Sequence, residues 1–127
     1  MNKIELVNLK LKTFTEQDAL DYCILNNINS ENITELYLFN NELTDISGVK
    51  IFKNLETLDI SNNEITDISI IMNFKNLKTL DISYLELESD QIKYIKSLKN
   101  LAYLWCKKGF KNISGLNQLN KNIKVIK

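Results

Sequence analysis

Apolar residues along this chain fall into a short motif that recurs. From Ile33 it reads Ile-Thr-Glu-Leu-Tyr-Leu-Phe-Asn-Asn-Glu-Leu-Thr-Asp-Ile-Ser. The pattern returns at Leu55 and Leu77, each 22 positions on, then at Leu101 after 24, and a fifth copy opens at Ile123. Within the L-x-x-L-x-L opening of each copy the paired apolar residues alternate with outward ones, the period-2 signature of a short strand with one buried face. Leu36 and Leu38, Leu58 and Ile60, Leu80 and Ile82, and Leu104 and Cys106 are thus expected to point inward. A single strand of this kind cannot bury its face, but stacked copies can. Ile46, Val49 and Phe52 recur as Ile68, Ile71 and Phe74, filling the core from the returning side. Asn41 and Asn63 fall where the chain leaves the strand, where a buried amide can bond the backbone of neighbouring coils.

Two copies depart from the pattern. Leu85 stands where asparagine is expected, and two extra residues follow. Ser89-Asp-Gln-Ile-Lys-Tyr-Ile-Lys-Ser reads as a short helix with Ser89 as N-cap and Ile92 and Ile95 inward. In the next copy Gly109 takes the asparagine position, and Phe110, Ile113 and Leu116 come one residue early, which predicts a looser coil. Ahead of the repeats, Thr15-Glu-Gln-Asp is a helix start with acids in its first turn. Ala19, Leu20, Cys23, Ile24 and Asn27 then share a helical face. Residues 15–27 are expected to cap the first coil, as terminal repeats require. Ile4, Leu6, Leu9 and Leu11 can add a strand before that helix, and residues 123–127 either close the far end as an edge strand or leave it to be covered.

The frame L-x-x-L-x-L-x-x-N-x-L marks leucine-rich repeats. The chain resembles the 22-residue, internalin-like type, through the Asn-Asn-Glu-x-Thr-Asp-Ile-Ser stretches at 40–47 and 62–69 and the Lys-Asn-Leu repeat starts at 53–55, 75–77 and 99–101. The expected fold class is α/β: a right-handed leucine-rich-repeat solenoid with a concave parallel β-sheet and an N-terminal helical cap. Its organisation reads as a cap at 1–32, repeats at 33–54, 55–76, 77–100 and 101–122, and a partial repeat at 123–127. The resemblance implies a non-catalytic role in protein binding. Surface attachment and host-receptor binding are not expected to carry over, since the sequence shows no signal-peptide h-region or further domain.

Outward strand positions line up in columns about 5 Å apart. One is Glu35, Thr57, Thr79, Tyr103; the next is Tyr37, Asp59, Asp81, Trp105. A third is Phe39, Ser61, Ser83, Lys107, and a fourth is Asn40, Asn62, Tyr84, Lys108. Five aromatics thus fall at exposed positions, and clustered exposed aromatics mark binding surfaces. The bland alternative tucks Tyr37 and Phe39 under the N-terminal segment and stacks Tyr103 on Trp105. The candidate protein-binding residues are Glu35, Tyr37, Phe39, Thr57, Asp59, Thr79, Asp81, Tyr84, Tyr103, Trp105 and Lys107. Neighbouring Asp59 and Asp81 could share a proton or hold a cation, but no nucleophile, oxyanion donor or walled pocket accompanies them.

Composition narrows the chemistry further. The 127 residues include no histidine, no proline and no arginine; all 16 basic residues are lysines. Histidine-activated nucleophiles, histidine-ligated metal and arginine phosphate clamps are thereby excluded. Neither a catalytic nor a cofactor site is expected. Isoleucine, asparagine and lysine number 17, 18 and 16, a bias typical of A+T-rich coding, so single lysines carry little weight. Cys23 and Cys106 form no CxxC pair and read as buried thiols of a reducing compartment, which with the absent h-region makes cytoplasmic the expected location. No apolar run nears the roughly 20 residues that span a bilayer.

Charge is balanced in sum and divided in place. Residues 1–90 hold all 16 acids and 7 lysines; residues 91–127 hold nine lysines and no acid. Such asymmetry points to a charged partner. The expected function is a non-catalytic module that binds an unidentified protein through its concave face, as inhibitor, immunity-type antagonist or scaffold. The alternative is nucleic-acid binding through 91–127, with Trp105, Tyr103 and Tyr84 for stacking. Self-association of a basic end with an acidic one is a third possibility.

Overall fold

Three-residue strands recur where the apolar alternation lies. A computed structural model describes residues 2–127. It contains strands β1 Lys3–Glu5, β2 Glu35–Tyr37, β3 Thr57–Asp59, β4 Thr79–Asp81, β5 Tyr103–Trp105 and β6 Lys124–Ile126, and helices α1 Glu16–Leu25 and α2 Ile92–Lys96. The strands form one parallel sheet in sequence order. In the register, Ile4, Leu36, Leu58, Leu80, Leu104 and Val125 lie side by side. All eight inward residues of the four repeats are buried, as the alternation requires.

The returning side of the coil is built from 3-10 turns at Ser47–Ile51, Ser69–Asn73 and Ser114–Gln118. The recurring Asp-Ile-Ser explains them. Asp45 Oδ1 accepts the Ser47 N–H at 2.8 Å, Asp67 Oδ1 accepts that of Ser69 at 2.7 Å, and Asn112 repeats the bond to Ser114 at 2.9 Å. Each side chain satisfies a donor at the start of its turn. The turns then drop Val49, Ile71 and Leu116, and after them Phe52, Phe74 and Leu119, into the core.

The amide ladder is present at both positions. Asn63 accepts from Leu43 N–H at 3.0 Å and donates to the carbonyls of Leu38 and Ile60 at 3.0 and 3.1 Å. Asn41 accepts from Leu9 and Leu11 and donates to Leu6 and Leu38. Each amide spans two coils and replaces water for backbone groups that the fold has enclosed.

At the N-terminal end β1 extends the sheet. Thr15 caps α1: its hydroxyl accepts from Asp18 N–H at 3.2 Å, and Asp18 Oδ2 accepts from Thr15 N–H at 2.9 Å. This reciprocal box satisfies two donors that a helix start leaves open. Phe14 is buried, its ring stacked on Phe52 with centroids 6.4 Å apart. Gly48 lies under this junction and donates its N–H to Phe14 O at 2.7 Å.

Two expectations need correction. The shared face assigned to α1 is wrong in part: Ala19 and Cys23 are buried, but Leu20 and Ile24 are exposed, as is Asn27 beyond the helix. The helix packs through its small residues against the Gly48 turn, and its larger ones face outward. Ser89 is not an N-cap. It opens a 3-10 turn, Ser89–Gln91, after extended Glu88, and makes no side-chain capping bond, although Ile92 and Ile95 are buried as expected. Ile113 is 56% exposed, in keeping with the looser coil expected there. The final strand β6 closes the sheet as an edge.

Candidate protein-binding face

Strand register assembles the expected columns. Glu35, Thr57, Thr79 and Tyr103 are successive partners, and so are Tyr37, Asp59, Asp81 and Trp105. The outer strands extend them: Lys3 and Lys124 bracket the first column, Glu5 and Ile126 the second. One surface therefore brings together the strand residues among the candidates, with Phe39, Tyr84 and Lys107 along its rim.

Depth divides this face. Glu35, Tyr37, Phe39, Thr57, Asp59, Thr79 and Asp81 are half-buried. Tyr84, Tyr103 and Trp105 are 45%, 47% and 45% exposed, and Lys107 is exposed too. The aromatic cluster expected from alternation thus splits. Tyr37 donates its hydroxyl to Glu35 Oε1 at 2.7 Å. That bond, then burial and the carboxylates nearby, push its phenol up to about 12. Tyr103 and Trp105 do not stack; among the described residues the aromatic ring pair is Phe14 with Phe52.

The paired aspartates differ in surroundings. Asp59 Oδ1 accepts from the Ser61 hydroxyl at 2.6 Å and its N–H at 3.0 Å. Burial nevertheless raises its carboxyl above the ordinary range; those two bonds oppose the rise and the Asp81 charge adds to it. Asp81 accepts from Ser83 N–H at 2.9 Å. Among the described residues neither aspartate is ion-paired, while Lys3–Glu5, Lys12–Glu42, Lys50–Glu16, Lys78–Glu56 and Lys111–Glu88 are. No group of three or more metal-ligating side chains gathers among those residues. Cys23 and Cys106 are buried free thiols, both pushed upward by burial, and neither lies on this face.

Alternation did not reveal the backbone of the fourth column. Asn40, Asn62, Tyr84 and Lys108 all have left-handed φ, at 57°, 53°, 60° and 51°, as does Asn8 before them at 58°. Asparagine tolerates that region and bulkier residues resist it. The tandem Asn-Asn of the first two copies carried the signal. A groove of about 540 Å³ beside α1, lined in part by Leu6, Leu9, Leu11, Phe14, Tyr22 and Leu25, was also not expected.

A parallel sheet on one side of repeated coils, closed at one end by a helix, defines the leucine-rich-repeat class. The family profile of Leucine Rich repeats (2 copies) matches residues 31–71 and 53–90. An internalin (InlF) of Listeria monocytogenes is similar in structure, with TM-score 0.78 and 24% identity over 99% of this chain and 34% of that one. Internalin C2 of the same organism is similar with TM-score 0.72 and 22% identity, over 98% of this chain and 50% of that one. The chain thus spans between a third and a half of the length of these structures. No curated protein sequence matches it significantly. The chain has a leucine-rich-repeat fold similar to that of these internalins.

Proposed function

We propose that the chain is a non-catalytic protein-interaction module that binds a protein partner through its concave sheet face and acts by occupying the partner's surface. The observation that carries this reading is the trio Tyr84, Tyr103 and Trp105, each nearly half exposed on an open sheet. Large aromatics contribute most at protein interfaces when a partner desolvates them. A face without a walled pocket suits a surface rather than a small substrate. The leucine-rich-repeat class and its internalin neighbours support the same reading.

Affinity capture from a nuclease-treated lysate of the source organism tests it. The bait is wild type beside a Tyr84→Ala, Tyr103→Ala, Trp105→Ala variant whose thermal unfolding is unchanged. A protein retained by wild type and lost by the variant is expected. Equal retention by both would move the site off the concave face. Retention of nucleic acid alone, once nuclease is omitted, would assign the function to the lysines of 91–127.

A further inference from the structure

The face is bipolar, and its two poles lie within two strands of each other. Tyr103 stands between Thr79 and Lys124, and Trp105 between Asp81 and Ile126. Lys107 and Lys108 follow Trp105 at the rim, exposed and without an ion-pair partner among the described residues. Two strands away, about 10 Å at ordinary strand spacing, Asp59 is likewise unpaired. The chain neutralises neither pole, so each stands open to complementary charge.

Within the fourth column, backbone conformation also sets this end apart, although Lys10 and Glu86, outside that column, share a left-handed φ. At the left-handed position the first two repeats carry Asn40 and Asn62, residues that region tolerates. The third and fourth carry Tyr84 and Lys108 at φ 60° and 51°. Strained positions that persist tend to cluster where a side chain is used. Here the strain projects an aromatic and a cation onto the rim of the exposed trio.

We propose that the C-terminal half of the concave face takes an extended segment of a protein partner whose acidic residues lie over Lys107 and Lys108, whose apolar residues cover Tyr84 and Trp105, and whose basic residue reaches Asp59 and Asp81. This rests on the concave-face reading and adds the partner's chemistry and direction. A protein segment fits better than a nucleic acid. A phosphate track along the Trp105 column would meet Asp81 and then Asp59, and no arginine is present to hold it.

A displayed library of random peptides, selected on the immobilised full chain, tests the assignment. Wild type is expected to enrich peptides with a cluster of Asp or Glu and, some residues apart, a Lys or Arg. Lys107→Glu with Lys108→Glu is expected to weaken those peptides at least about tenfold. Selection on that variant is expected to enrich basic residues in place of the acidic cluster, a reversal that misfolding cannot produce. Thr57→Arg, which puts a bulky cation in the middle of the face, separates the two levels of the argument. Peptides lost with Thr57→Arg but indifferent to the lysine reversal would overturn the polarity and leave concave-face binding standing. Indifference to both would remove both. No enrichment on wild type, or displacement of the peptides by tighter-binding oligo(dT), would also overturn the proposal.

Discussion

The Asn63 carboxamide reaches across one full coil to accept the Leu43 N–H at 3.0 Å. Both groups are enclosed, and the same amide donates to Leu38 O and Ile60 O. The carboxamide therefore ties the second repeat to the first. Asn63→Ala strands the buried Leu43 N–H, which costs about 2–3 kcal/mol. Urea unfolding should show a lowered midpoint with little change in slope.

Gly48 sets how closely the cap can approach. A Cβ there would meet the carbonyl oxygen of Thr15 and lie 2.7 Å from that of Phe14, both backbone atoms that cannot swing aside. Gly48→Ala should push α1 off the first coil and cost about 2–3 kcal/mol. Limited proteolysis should then cut first near residues 10–28, while the repeats resist.

These two sites show what the sequence made legible. The asparagine ladder could be read because one residue type recurs at one phase of the repeat, and only one arrangement satisfies its amide. The face of α1 could not. Ala19, Leu20, Tyr22, Cys23, Ile24 and Leu25 make the helix apolar on more than one side, so periodicity grouped the exposed Leu20 and Ile24 with the buried Ala19 and Cys23. The close approach permitted by Gly48, distant in sequence, keeps only the small pair inward. Where Gly109 breaks the ladder, backbone replaces it directly: Leu87 N–H bonds Gly109 O at 2.7 Å. The candidate face divides in the same way. Strand alternation shows which residues point outward, but the Tyr37–Glu35 hydrogen bond that helps settle Tyr37 is a matter of side-chain rotamer. Nor does alternation reveal the left-handed residues at the strand ends, whose conformation belongs to the turn.

Acid should affect the carboxylates of this protein in opposite senses. Asp45 and Asp67 are held below the ordinary 3.8 by the backbone N–H groups of Ser47 and Ser69. Each therefore contributes stability above that value and loses it as pH falls through its lowered folded pKa. Asp59 is raised, chiefly by burial. Keeping it ionised at neutral pH opposes folding, and the penalty disappears as pH falls through its raised folded pKa. Asp59→Asn keeps an oxygen that can accept from Ser61 and should melt higher than wild type at pH 7. The gain should shrink as pH falls through that raised folded pKa and be largely gone below about pH 4, whereas Asp67→Asn should be destabilising at pH 7. Thermal melts across pH check both signs.

Tyr84 holds φ at 60°, in a column where the two preceding repeats use asparagine. A left-handed backbone crowds an ordinary Cβ against the following carbonyl, and asparagine is among the few residues that visit it routinely. Tyr84→Asn keeps the backbone bond from residue 84 N–H to Lys107 O, 2.8 Å in the present chain, and gives up a ring that is 45% exposed. Relief of backbone strain should therefore outweigh lost packing. The substitution should stabilise the fold by about 0.5–1 kcal/mol, raising Tm by roughly 2–6 °C. Asn62→Tyr, which imposes the same strain one repeat earlier, should lower it by a similar amount. Peptides selected on the wild-type face should bind Tyr84→Asn more weakly even as its Tm rises. Stability and binding moving in opposite directions would mark Tyr84 as a residue held for contact. A Tm that falls on Tyr84→Asn would mean that the ring is held by packing, and the strain argument for this end of the face would go with it.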